Sequence, residues 1–166
     1  MHRRLILIRH AKSSWDHPDL EDFERPLNAR GRRDAPRMAE HLRASGLKPD
    51  RLLSSPALRA VSTARAFAAG LSMDLRDVAL DSRIYEASAG ELCAVVHSQP
   101  DEARTLMLFG HNPGISQFAR WLCAESAVSD VPTCAVIELE FDIDRWSQLA
   151  PGQARLAGYH VPRTLD

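Results

Sequence analysis

Cysteine is scarce in this chain and unpatterned: Cys93, Cys123 and Cys134 make an odd number with no Cys-x-x-Cys spacing. That argues against a disulfide framework or a zinc site and points to a reduced, cytoplasmic protein. Long apolar runs are missing as well. Those present, such as Leu5–Ile8 and Leu106–Phe109, are far too short to cross a bilayer. The opening Met1-His2-Arg3-Arg4 is basic, but the apolar run behind it stops at Arg9, too early for a signal peptide. No charge of one sign dominates, since 21 Lys and Arg stand against 22 Asp and Glu for a net charge of -1. No global field therefore favours nucleic acid or an acidic membrane, and functional charge must be local. With no repeat, low-complexity tract or linker, residues 1–166 read as one domain.

What is present is an alternation of apolar strands with helices. Leu5–Ile8 reads as a buried strand ending abruptly in Arg9-His10. An acidic, proline-punctuated loop (Asp16–Glu24) follows, then a helix over Ala29–Ala44 capped by Asn28 and ended by Gly46. Arg51–Ser54 is a short strand. Ser55 then reads as an N-cap and Pro56 as the first residue of a helix running to Gly70. Val78–Leu80 and Arg83–Glu86 read as brief extended pieces, Gly90–Ser98 as a helix, and Thr105–Gly110 as a second buried strand. His111-Asn112-Pro113-Gly114 leads into a helix over Ile115–Ala124. The alternation of apolar and acidic residues in Ala135–Asp142 predicts a strand with one face near solvent, and Trp146–Leu149 and Ala154–Tyr159 read as further edge strands. The sum is α/β: a three-layer α/β/α sandwich with a mainly parallel sheet and antiparallel edges.

Three strand-to-helix junctions carry the same kind of residue. Arg9 and His10 follow the first strand, Arg59 the second and His111 the fourth. Parallel strands open all three on one edge, where ligands bind in such sheets. Arginines and histidines converging there make a cationic pocket with no evident acidic partner in the same motifs, suited to a phosphoryl group. Arg59 lies in the first turn of its helix, where the dipole disfavours a cation by about a few tenths of a kcal/mol or more. A bound anion would remove that conflict, and so would a side chain that swings out into water. A histidine is largely neutral at physiological pH, so the lone pair of His10 is available for attack. The remaining histidines, His2, His17, His41, His97 and His160, lack ligand spacing and read as ordinary.

These residues also carry a family resemblance. Arg9-His10-Ala11 after an apolar strand, the stretch Ser54–Ala64 and Gly110-His111-Asn112-Pro113 resemble the histidine phosphatase (phosphoglycerate mutase-like) superfamily. The run Arg9–Trp15 and Arg25-Pro26-Leu27-Asn28 with Gly31 are most similar to its short SixA-type phosphohistidine phosphatases. The resemblance spans Leu5 to about Phe141 in order. It implies a phosphoglycerate mutase-like fold and phosphorylation of His10, with Arg9, Arg59 and His111 binding the phosphoryl group and no metal or other cofactor. Arg25, Ser13 and Asn112, in the same motifs, are carried over as substrate-binding. Ala11 stands where the superfamily usually has glycine. Glu86 sits at about the right place for the general acid, with Glu91 and Asp16 as runners-up and a solvated helix-start carboxylate as the plain alternative.

The expected function is a metal-independent phosphatase acting on a phosphohistidine-bearing protein. The alternatives are a small-molecule phosphomonoesterase or a non-catalytic module that binds phosphorylated ligands. A mutase would need an enclosing insertion that this chain has little room for, so an open pocket is expected. The acidic loop Asp16–Glu24 and the edge at Glu138–Asp142 are charged surfaces a partner protein could meet, although most such surfaces are merely solvated. No nucleic acid or membrane partner is expected, and with no heptad or exposed apolar stripe the default is a monomer.

Overall fold

The computed structural model describes residues 2–124 and 130–165. Six strands form one sheet: β1 (His2–Arg9), β2 (Arg51–Ser54), β3 (Val78–Leu80), β4 (Thr105–Gly110), β5 (Val136–Asp142) and β6 (Arg155–His160), in the order β3-β2-β4-β1-β5-β6. The first four run parallel; β5 lies antiparallel to β1, and β6 to β5. Helices α1 (Ala29–Ala44) and α2 (Leu58–Gly70) cover one face, and α3 (Ala89–His97) and α4 (Gly114–Leu122) the other. Among the described residues no helix is long and apolar enough to cross a membrane.

The central strands are apolar on both sides because both sides are covered. In β1, Leu5 and Leu7 join the core under α3 and α4, while Ile6 and Ile8 join the core under α1 and α2. Leu106 and Leu108 against Met107 and Phe109 do the same in β4. Such two-sided burial is the reason a central parallel strand reads as a continuous apolar run. Truncating one of these side chains to alanine costs about 2–5 kcal/mol. The sheet is therefore a stiff base for what its strand ends carry.

Local signals place the first helix. Asn28 accepts from the Gly31 backbone at 2.9 Å, and Gly46, at φ +90°, ends α1 where a side chain would be strained. Gly31 matters beyond its turn: a Cβ there would lie 2.2 Å from the Lys12 carbonyl oxygen. Only glycine lets α1 press against the loop that follows β1.

Four expectations need correction. Helix α2 starts at Leu58, not Pro56, because Ala57 keeps a non-helical backbone (φ -58°, ψ 138°) and is itself the N-cap. The Arg83–Glu86 stretch is a 3₁₀ turn (Ser82–Ile84) running into Glu86, not an extended piece. Trp146–Leu149 is not a strand either. Trp146 buries its ring in a 3₁₀ turn (Trp146–Gln148), donates its indole N–H to the Ala103 carbonyl at 2.6 Å and carries the Arg3 guanidinium 5.3 Å above the ring.

The fourth correction concerns β5, which is interior and has no solvent face up to Phe141. Glu138 and Glu140 are each only 9% exposed. Arg4, the cross-strand neighbour of Glu140, donates to it at 2.8 Å, and Arg155 pairs with it from β6. His160 donates to Glu138 at 2.6 Å and accepts from His41 at 3.1 Å. Alternation was real, but basic side chains rather than water meet the acidic face. The sheet edge is β6, with alternating exposure.

Candidate active site

Register builds the floor of the site. Arg9 pairs with Gly110 across β1 and β4, so the residues that follow, His10 and His111, emerge side by side. Their ring centroids are 5.2 Å apart with the planes tilted at 51°. The His10 backbone donates to Gly110 at 3.0 Å, and the Ser55 backbone donates to Phe109 at 3.1 Å, locking β2's end to the same level. Behind His10, the Cys134 backbone N–H reaches the carbonyls of Arg9 and His10 at 3.0 and 3.1 Å.

His10 is 7% exposed, and its Nδ1 donates to the Ala11 carbonyl at 2.8 Å. That hydrogen bond fixes the tautomer and leaves Nε2 with its lone pair. Desolvation first, then the charges of Arg59, Arg9 and Arg25, push the imidazole down to about 4, so it is neutral at working pH. His111 is driven down to about 3, again by burial first and then by His10 and Arg59. Its Nε2 lies 2.8 Å from the Ser55 hydroxyl, which itself accepts from the Ala57 backbone at 3.2 Å. The Ser55 proton is thus available to His111 Nε2, which leaves Nδ1 as the ring's donor. That Nδ1 is buried with no hydrogen-bond partner among the described residues, as is Nε of Arg9. Both can donate a hydrogen bond.

The arginines surround this pair. Arg9 is anchored through Nη1 to the Val131 carbonyl at 2.8 Å. Arg59, in the first turn of α2, is 7% exposed, so it does not swing into solvent. It meets the loop after β1 instead, where Nη1 donates to the Asp22 carbonyl at 2.7 Å and Nη2 to the Asp22 carboxylate at 2.9 Å. Arg25 is pinned by the Ser14 carbonyl (3.0 Å), the Ser13 hydroxyl (2.6 Å) and the Trp15 ring (3.3 Å to the centroid), and its Nη1 gives a third bond to Asp22 at 3.0 Å. Thr63 ties α2 to the loop after His10 by accepting from Ala11 at 2.9 Å and donating to the Arg59 carbonyl at 2.7 Å.

A cavity of about 500 Å³ opens from this floor, with Arg59, His111, Asp22, Glu86 and Glu91 on its wall. Glu86 holds φ +55° and Cys134 φ +61°, so two of the three non-glycine residues with left-handed backbone among those described flank the site. Gly114 lets α4 close on the Glu86 segment, since a Cβ there would lie 2.1 Å from the Ala87 carbonyl oxygen. Among the acid candidates, Glu86 borders the cavity, Glu91 is spent partly on the capping box with Ser88, and Asp16 belongs to neither. Ser13 reaches the site through Arg25. Asn112 braces the loop by donating to Asp130 (2.7 Å) and Val131 (3.0 Å) and accepting from Ser116. No group of three or more His, Cys, Asp or Glu among the described residues is placed to hold a metal ion.

Sequence reasoning missed Asp22, Tyr85 and the second role of Ser55. Tyr85 donates to Asp22 at 2.8 Å and sets its ring edge-on to His111 at 5.5 Å. Burial first, then Asp22, raises its phenol to about 12. The cationic pocket does have an acidic partner, supplied from the loop rather than from the junction motifs.

Residues 5–111 match the histidine phosphatase superfamily (branch 1). The chain belongs to that superfamily. An uncharacterized chloroplastic protein of Arabidopsis thaliana is 32% identical over 173 residues, covering 96% of this chain and 78% of the relative. A 2,3-bisphosphoglycerate-dependent phosphoglycerate mutase of Clavibacter sepedonicus is 32% identical over 171 residues; the match takes in 98% of this chain but only 59% of the mutase. Among solved structures, the SixA protein of Agrobacterium tumefaciens superposes with a TM-score of 0.82 at 26% identity, covering 96% of this chain and 98% of SixA. A protein histidine phosphatase SixA complexed with tungstate gives 0.83 at 20% identity, covering 98% and 99%. The fold is the α/β architecture of those SixA proteins.

Proposed function

We propose that this phosphatase hydrolyses phosphohistidine carried on a protein, through a phosphoryl group held covalently on its own His10. The observation that carries the reading is the fixed tautomer of His10, with Nδ1–H bound to Ala11 and Nε2 unprotonated among three arginines. In the first step the Nε2 lone pair attacks phosphorus, a P–N bond forms, and the bond to the leaving group breaks. Arg9, Arg59 and Arg25 neutralise the phosphoryl oxygens, and His111 donates to one of them through Nδ1. In the second step water attacks phosphorus, the P–N bond to His10 breaks, and both of water's protons depart with the phosphate. Because Nδ1 keeps its proton throughout, His10 leaves as neutral imidazole.

The same logic favours phosphohistidine as substrate. A leaving imidazole protonated on its far nitrogen departs neutral and needs no proton at the breaking bond, whereas an alkoxide does need one. Likeness to SixA proteins, one of them named a protein histidine phosphatase and holding the oxyanion tungstate, supports this reading. Glu86, strained at the cavity wall, favours a second reading, a phosphate monoester protonated by that carboxyl group.

The test is hydrolysis of an alkyl phosphate monoester such as phosphoserine and of a phosphohistidine-bearing protein, without added metal. His10→Ala should lose both activities. Glu86→Gln should lower ester hydrolysis by about 10²–10⁴ and phosphohistidine turnover by much less. A wild type that hydrolyses only the ester would overturn the phosphohistidine reading. One that binds phosphate but turns over neither substrate would be a binding module.

A further inference from the structure

The carboxylate of Asp22 holds two of the arginines proposed above to bind the phosphoryl group. Its two oxygens take hydrogen bonds from Arg25 (3.0 Å), Arg59 (2.9 Å) and Tyr85 (2.8 Å), and Arg59 adds a fourth bond to the Asp22 carbonyl at 2.7 Å. Two of these partners are guanidinium groups that the proposed reaction needs for phosphate oxygens. We infer that Asp22 is an internal occupant of the phosphoryl site, which every substrate and product must displace, and that it thereby sets the affinity of the site for phosphate-like anions.

The surroundings suit displacement. Asp22 opens a one-turn 3₁₀ segment (Asp22–Glu24) with no buried residue, and its side chain is 46% exposed. Near it, Phe23 makes an edge contact with Tyr85 at 5.2 Å. Arg25, by contrast, is held by Ser13, Ser14 and Trp15 whether or not Asp22 is present. Arg25 therefore stays in place when the carboxylate leaves, and the Arg59 fork, bonded to Asp22, is released to the incoming anion. Against the opposing effect of partial burial, the bonds from Tyr85 and Arg59 bring Asp22 down to about 2, so it is an anion under all working conditions.

A competitor of this kind lowers the apparent affinity of all ligands by the fraction of time it is out of the site. Because the displacement precedes any contact made by a particular ligand, the factor is the same for different oxyanions. For a half-exposed carboxylate on two arginines a factor of about ten is expected.

The inference rests on the phosphoryl-site reading above, and titration calorimetry with tungstate and with inorganic phosphate separates the two. Asp22→Ala should bind both anions about tenfold more tightly than wild type, by a common factor. Asp19→Asn, which removes the same charge from the same loop, should bind them as wild type does. The KM for substrate should fall in Asp22→Ala along with the anion dissociation constants. Unchanged or weaker anion binding in Asp22→Ala would overturn the inference and make Asp22 a brace for the arginines. An equal gain in Asp19→Asn would overturn it in favour of a general field effect. A fall in kcat without tighter binding would assign Asp22 to proton transfer instead. Failure of both wild type and Asp22→Ala to bind either anion would overturn the phosphoryl-site reading together with this one.

Discussion

The floor and the rim of the site are built by different means. His10, Arg59 and His111 grow from strand ends and a helix start, are buried or nearly so, and are held by strand register and backbone hydrogen bonds. Asp22, Tyr85 and Glu86 come from connecting segments, and Asp22 and Tyr85 are fixed chiefly to each other and to the arginines. The floor is set by folding itself. Access to it is set by contacts that a ligand can exchange for its own. In the proposed function, chemistry that needs positional accuracy falls to the rigid part and selection to the part that can yield.

Breaking the floor should have the largest effect. Arg59→Ala removes a charged fork from the phosphoryl oxygens and should lower kcat/KM by about 10²–10³. Arg59→Lys should recover only part of it, because a point charge cannot copy the fork. Steady-state kinetics decide it; full recovery by lysine would mean that charge, not geometry, is what the floor supplies. A smaller effect is expected from Ser55→Ala, which frees His111 Nε2 from its 2.8 Å partner. The ring can then take either tautomer, and kcat should fall several-fold with KM little changed, while stability drops by about 1 kcal/mol. An unaltered kcat would show that His111 is held by packing alone.

The smallest effect is on stability against pH. His10 and His111 lie at about 4 and about 3 in the folded protein, against about 6.5 in an unfolded chain. Between these values the unfolded chain binds protons that the fold refuses, so stability falls as pH drops below about 6.5 and is insensitive to these groups above it. Thermal melting from neutral pH to about 4.5 should show that decline, and His10→Gln should make it shallower. An equal slope in the variant would mean that His10 is more hydrated than its burial implies.

Much of the floor was legible in the sequence because it obeys local rules. Leu5–Ile8 and Thr105–Gly110 announce two-sided burial, and the strand-to-helix alternation then brings His10, Arg59 and His111 to one edge. The start of α2 was misread because Ser55-Pro56 has the grammar of a cap and Ser55 does accept from the Ala57 N–H, yet Ala57 stays non-helical and the hydroxyl also meets His111. For β5, alternation reported the two faces correctly. It did not report that Arg4, Arg155 and His160 would cover the acidic one. Trp146 and Leu149, three apart, fit one helical turn as well as a short strand. Asp22 was hidden in a loop with several carboxylates, where nothing local marks the one that reaches two arginines.

The backbone of Cys134 closes the wall behind His10, and burial raises its thiol to about 12. Cys93 and Cys123 are buried too. An intact molecule therefore offers a thiol reagent almost nothing, and labelling proceeds only as fast as the protein opens. The rate at which Cys134 is modified is a clock for separation of the strand end that carries His10. It reads breathing of the site's floor without an introduced probe.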